Sequence, residues 1–222
     1  MPDDSSSLMQ AARAVAAARL ADAFGHLSVR SSSGDGLLIT PPRPLGRLRQ
    51  GDFAIEVPLE ATDLPTGAPK EAWIHLALLR SRPDLGAVCR AQPPAVAAFF
   101  ALGRPLTMLN GHAALVGEVP LHTDSRLVRD TVSGDAVAQS IGDADSVILR
   151  GNGAVTVGSD LPHAVARMWL LERTAELNLQ AWAAGRPAAL PWEEQQWWQS
   201  RSIELLPRIF DYLINLQEEN SW

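Results

Sequence analysis

The six residues GAVCRA, at positions 86–91, constrain the fold more than any other part of the chain. They are too few for a stable helix and too apolar for a surface loop, so they read as a buried strand. A strand of this kind needs helices laid against it, and the flanking sequence supplies them. Before it, KEAWIHLALLRSR predicts a helix closed by Pro83. After it, PPAVAAFFALG begins with prolines and ends with glycine, the order that a short helix favours. The chain is therefore α/β.

The remaining elements follow the same signals. An alanine-rich helix is predicted over 5–24, with serines to cap it and Gly25 to stop it. HLSVR and GLLIT are strands around a Gly/Ser/Asp turn, and FAIEV is a third. Another strand is predicted near LVGEVPLHT, then a polar helix over roughly 125–141. DSVILRG and AVTVG pair around Asn152-Gly153, a hairpin-type turn. The long segment LPHAVARMWLLERTAELNLQAWAAG places Ala164, Met168, Leu171, Ala175, Leu179 and Trp182 at helical spacing. A linker, GRPAALP, leads into a C-terminal helix that Pro207 is expected to interrupt. Residues 1–185 form one domain, and 186–222 are a Trp-rich helical extension of it.

Bulk properties exclude several classes of function. The 222 residues carry a net charge of −6, which argues against a binder of phosphate backbones. No apolar run nears the roughly 18 residues that a bilayer span needs. The start, MPDDSSSL, lacks the positive charge of a signal peptide, so a cytoplasmic location is expected. Cys89 is the only cysteine, which rules out an intramolecular disulfide and a four-cysteine zinc site.

Four segments, in this order, resemble the class II aldolase/adducin family: GHLSVR, the run from Glu71 through IHLALLRSRPDLGAV, VILRGNGAVTVG, and LPHAVAR. The similarity covers about residues 10–185 and is nearest to the family's hydroxy-carboxymuconic semialdehyde decarboxylase-like branch. It implies a single domain with a central, mostly antiparallel sheet flanked by helices, plus the helical tail. It also implies a homo-oligomer, commonly a tetramer with sites between subunits. The chemistry implied is lyase chemistry: cleavage of a C–C bond beside a carbonyl, by aldol cleavage or decarboxylation. In the family, three histidines hold a divalent metal that takes up the enolate charge, and a glutamate moves protons. Glu71 falls on that glutamate and GHLSVR on the substrate loop. The three histidine positions are Arg90, Gln92 and Asn152 here, so the resemblance points to a dismantled metal site and no metal cofactor. Arginine has no lone pair to offer a metal, and the two amides offer only neutral oxygens.

Three electron sinks stay open. Arg90 can act as a fixed cation, although it could also simply neutralise Glu71. Lys70, the sole lysine, could form a Schiff base, although a lysine at a helix start is usually solvated. A relocated metal could use His26, His75, His112 or His122, which lack close ligand spacing. Glu71 is read as acid/base, with capping of its helix as the plainer role. His26 is a candidate proton donor or substrate contact. Ser28 and Arg30 are candidate anchors for an anionic substrate, with Gln92 and Asn152 as further substrate contacts. Tyr212 could reach a neighbouring subunit's site from the tail. His163 and Cys89 read as structural. Four of the seven tryptophans, Trp192, Trp197, Trp198 and Trp222, cluster late in the sequence; Trp192, Trp197 and Trp198, with Leu205, Ile209 and Leu213, suggest a subunit interface or lid, or packing on the same subunit.

The reading that leads is a metal-independent lyase of the decarboxylase-like kind, acting on a small carboxylated or enolisable, possibly aromatic, substrate. The alternative is a non-catalytic scaffolding or ligand-sensing homologue of the adducin type. A closed inter-subunit cavity where Glu71, Arg90 and His26 converge favours the enzyme; a pocket filled by side chains favours the scaffold.

Overall fold

A computed structural model describes residues 4–49 and 51–219. Trp222 lies outside the described residues. Alternation along the strands divides the core between the two faces of one sheet. Seven strands form it: β1 (His26–Arg30), β2 (Gly36–Ile39), β3 (Ile55–Pro58), β4 (Ala87–Ala91), β5 (Leu121–His122), β6 (Ser146–Leu149) and β7 (Ala154–Gly158). Their order is β3-β2-β1-β4-β7-β6-β5. Neighbours run antiparallel except β5 and β6, which are parallel. The sheet is thus mostly antiparallel, as expected.

Helices α2 (Ala72–Ser81) and α5 (Thr131–Ile141) cover one face, over Leu37, Ile39, Val88, Val155 and Val157. The other face, with Leu27, Cys89 and Ala154, packs under α1 (Asp4–Ala17), α3 (Pro94–Phe100) and α6 (Leu161–Ala184). All five residues of β4 are buried, and it is the central strand of the seven. Helix α4 (Gly111–Ala114) is a single turn. The tail forms α7 (Trp192–Gln199) and α8 (Ser202–Glu219).

Three boundaries differ from expectation. Helix α1 stops at Ala17, well before Gly25. Arg19 adopts φ 58°, the amide of Leu20 bonds the Val15 carbonyl, and the amide of Arg19 bonds that of Ala16. This is a Schellman closure with arginine where glycine usually sits. Helix α5 starts at Thr131, because Asp130 and Ser133 form a reciprocal capping box. Pro207 does not interrupt the tail; it lies inside α8, and the break falls between Gln199 and Ser202. Only the hydrogen bond to the carbonyl of Ile203, an exposed residue, is forfeited there.

The tail packs on its own subunit. Leu206 and Leu213 are fully buried, and Ile209 and Leu205 pack against the same cluster. The Trp198 ring sits so close to Gly111 that a side chain there would collide with it. Trp192 and Trp197 remain exposed. Among the described residues, no helix is long and apolar enough to cross a membrane.

Candidate active site

His26 and Ser28 alternate with Leu27, so both side chains leave β1 on the face that α2 covers. The β1–β4 register sets His26 directly opposite Arg90. Glu71 immediately precedes α2 but makes no capping hydrogen bond with its side chain. Its carboxylate instead turns into the sheet. One oxygen lies 3.1 Å from Nη2 of Arg90 and 3.5 Å from Nε2 of His26. The other accepts from Nδ2 of Asn152 at 3.2 Å.

Asn152 arrives from the β6–β7 turn. Gly153 has φ +86°, and a Cβ there would strike the carbonyl oxygen of Ala91 and Cα of Gln92. Only glycine lets the turn lie this close to the end of β4. The approach puts Oδ1 of Asn152 within reach of two donors, Nη2 of Arg90 at 2.8 Å and Nε2 of Gln92 at 3.0 Å.

A second line of contacts runs beneath. His26 Nδ1 is 2.6 Å from His75 Nε2, and His75 Nδ1 is 2.6 Å from Ser28 Oγ. Burial lowers the His26 pKa below its ordinary value, with the Glu71 bond opposing that shift and Arg90 adding to it. Burial, then the charges of His26 and Arg90, push His75 well below. Burial pushes Glu71 up, but the His26 hydrogen bond and the Arg90 charge outweigh it and hold the carboxyl below its usual range. At neutral pH the site therefore holds one carboxylate, one guanidinium and two neutral imidazoles.

Glu71, Arg90 and His26 line the floor of a cleft of about 670 Å³, with His75 buried beneath it. Arg43, Lys70 and Arg129 stand around it with Arg90, against Glu71 as the only acid in its lining. Arg43 is partly offset by Asp52 at 3.2 Å. The cleft is cationic on a chain whose overall charge is negative, which suits an anionic ligand. Arg90 is 1% exposed, and its Nε and Nη1 have no hydrogen-bond partner.

The structure brings Glu71, Arg90, His26, Gln92 and Asn152 together, with Lys70 exposed at the rim. It does not bring Ser28 or Arg30 there. Ser28 is fully buried and engaged by His75, because the pleat turns it under α2. Arg30 donates to the carbonyls of Leu85, Leu79 and Arg82, so it fastens the end of α2. Tyr212, half exposed, sits edge-on to Trp169 with centroids 6.0 Å apart. His122 is occupied by Ser140 and His163 by Asp160. Burial pushes the Cys89 thiol up to about 12, so it is an inert core group.

His75 is the member of this site that sequence reasoning placed only among scattered histidines. Its signal was there: His75 lies four residues after Glu71 on a helix, and Ser28 two after His26 on a strand. Each spacing puts its pair on one face.

The donors present do not fit a divalent metal. Oδ1 of Asn152 is already taken by two N–H groups, and the guanidinium fills the neighbouring space with a fixed positive charge. Among the described residues, no three His, Cys, Asp or Glu side chains group closely enough to hold a metal ion.

Comparison with known proteins agrees with this architecture. The model of the class II aldolase and adducin N-terminal domain matches residues 6–179. The chain belongs to the class II aldolase/adducin family. Within that family it is 33% identical over 201 residues to the 3,4-dihydroxyphthalate decarboxylase of Terrabacter sp. (strain DBF63), covering 83% of this chain and 84% of that one. It is 28% identical over 155 residues to an L-fuculose phosphate aldolase of Methanococcus maripaludis (strain C7 / ATCC BAA-1331), covering 69% and 83% of the two chains. The L-fuculose 1-phosphate aldolase from Glaciozyma antarctica PI12 shares the fold, with a TM-score of 0.81 at 23% identity over 96% of this chain and 89% of that one.

Proposed function

We propose that this protein is a metal-independent lyase that decarboxylates a small hydroxy-aromatic or otherwise enolisable carboxylate. The observation that carries the reading is the placement of Glu71: free of its helix cap, ionised, and held beside a buried arginine in an open cleft. The relatives named as decarboxylases support the choice of decarboxylation over aldol cleavage, since they share the higher identity. The convergence of Glu71, Arg90 and His26 on a cleft that side chains leave unfilled favours catalysis over a scaffolding role.

In this mechanism the cationic rim orients the substrate carboxylates. Glu71 takes the proton of the hydroxyl adjacent to the departing carboxylate and delivers it to the carbon bearing that carboxylate, which generates a keto tautomer. The C–C bond then breaks, CO₂ leaves, and the bonding pair moves into the ketone to give a phenolate or enolate. Arg90 faces the developing oxyanion, the task that a metal performs elsewhere in the family. Glu71 has returned to its carboxylate form, and the product oxyanion takes its proton from water. His26 donates a hydrogen bond throughout and stores no proton. In this reading Lys70 supplies charge at the rim and no Schiff base forms. Gln92 and Asn152 hold Arg90 and the substrate in register.

The working unit in this reading is a cytoplasmic homo-oligomer, a tetramer on family grounds. The exposed Phe24 and Leu127 at the cleft fit closure by a neighbouring subunit. The test is direct. Purified protein is incubated with 3,4-dihydroxyphthalate and related hydroxy-aromatic mono- and dicarboxylates, and CO₂ release is followed with the mass of the product. Turnover that Glu71→Gln abolishes is expected; no loss of CO₂ from any member of the series would overturn the assignment.

A further inference from the structure

Ser28 and His75 are buried and polar, His75 touching His26 and Ser28 touching His75, and the chemistry above gives them no part. The three contacts Ser28–His75, His75–His26 and His26–Glu71 run in series. With both rings neutral, their hydrogens can be arranged in only one way. An ionised carboxylate accepts and never donates, so the imidazole nitrogen facing it, His26 Nε2, carries the hydrogen. With His26 neutral, Nδ1 is then a lone pair. At 2.6 Å the opposing His75 Nε2 must be the donor, because two lone pairs would repel at that distance. His75 Nδ1 becomes an acceptor in turn, and the Ser28 hydroxyl donates to it.

We propose that His75 and Ser28 are positioning residues that fix His26 as its Nε2–H tautomer and aim that hydrogen at the Glu71 carboxylate. The inference rests on Glu71 being the reactive acid/base and deepens that reading. A residue serving only to fill space between α2 and the sheet would need no such polarity. The charged groups facing the series are few. Glu71 approaches from the head of α2 and Arg90 from β4. The β6–β7 turn contributes the neutral Asn152, and from β2 the adjacent Thr40 is engaged by the Leu27 amide. Burial, with the Arg90 charge, keeps both rings neutral, which the one-way arrangement requires.

The decisive measurement is ¹⁵N NMR of the histidine rings in the full-length, ligand-free protein at pH 7.5. The expected spectrum has a proton on His75 Nε2, coupled across the hydrogen bond to an unprotonated His26 Nδ1, with His26 Nε2 protonated. A proton on His26 Nδ1, a doubly protonated His26, or no coupling between the rings would overturn the proposal. Kinetics on a substrate that is turned over give a second arm. His75→Phe should lower kcat by about 10- to 100-fold with little change in KM, and move the acid limb of the pH profile upward. His75→Gln, whose side-chain N–H can replace Nε2–H, should recover both. Equal loss in the two variants with an unmoved acid limb would mean that His75 is structural only. If no carboxylate is turned over but the NMR order holds, the decarboxylase assignment falls and the positioning role stands.

Discussion

Arg90 and Glu71 form an ion pair at 3.1 Å in which the cation is almost wholly buried and the acid keeps an opening to the cleft. A buried pair contributes little net stability, but removing one partner strands the other. Arg90→Met should therefore cost about 3 kcal/mol, read as a lowered midpoint in urea. It should also reduce kcat on the order of 100-fold or more, through loss of the oxyanion partner. Arg90→Lys should recover part of the stability and little of the rate, since a compact ammonium on a flexible stem does not hold Asn152 and Glu71 in the fixed geometry that the two hydrogens of Nη2 give.

Glu71→Gln keeps the shape and the Asn152 contact but removes the proton carrier. The expected loss in kcat is about 10²- to 10⁴-fold, with retained affinity for a non-reactive carboxylate analogue measured by calorimetry. A variant that turns over at the wild-type rate would remove Glu71 from the chemistry.

Stability should fall as the pH drops below about 6.5, the ordinary histidine value. The folded chain holds His26 and His75 neutral, while the unfolded chain protonates them, so the unfolded state binds more protons and gains as pH falls. A ring that stays neutral in the fold contributes a slope of up to about 1.4 kcal/mol per pH unit, over the range in which only the unfolded chain takes up the proton. Below 4.5, Glu71 adds to the loss, because its folded pKa is depressed and its unfolded form takes up a proton first. His75→Gln should flatten the slope below about pH 6.5, because His75 is the ring held well below its ordinary value. Urea melts across that range read it out.

Gly153→Ala should be more damaging than its size suggests. The residue sits at φ +86°, and the added methyl meets the backbone of β4. A loss of about 1–3 kcal/mol is expected from strain at such a position. Displacement of Asn152 from Arg90 should lower activity in the fraction that folds.

Metal content gives an independent check on the reading of Arg90. Elemental mass spectrometry of protein purified without added metals should find far less than one divalent ion per chain. Turnover should be unchanged by chelation or by added divalent cations. Stoichiometric, tightly held metal would require a ligand set other than Arg90, Gln92 and Asn152.

Much of the architecture was legible because strands and helices announce themselves locally. GAVCRA, Asn152-Gly153 and the stripe from Ala164 to Trp182 each fix an element with short-range signals alone. The misread features depend on partners distant in sequence. Ser28 looks like a substrate anchor until His75, 47 residues away, is laid over it. Arg30 looks like an anion binder until three carbonyls at the end of α2 surround it. Helix α1 ends at Ala17 because Arg19, two residues on, adopts a backbone conformation that arginine rarely takes, so no residue-type signal marks the end. The family pattern named Glu71 and Arg90; that the two touch each other required the fold.

Arg30 ties β1 to one end of α2, His75 ties it to the middle, and Glu71 to the other end. Strand and helix are thus riveted along their whole length, while Arg43, Leu127 and Arg129 stand on connecting segments outside any strand or helix. Such a division makes the protein evolvable in a particular way. The reactive floor tolerates little tinkering, whereas the rim can be rewritten one loop at a time. Directed libraries confined to 41–43 and 123–129 would explore new acids without unfastening the chemistry beneath them.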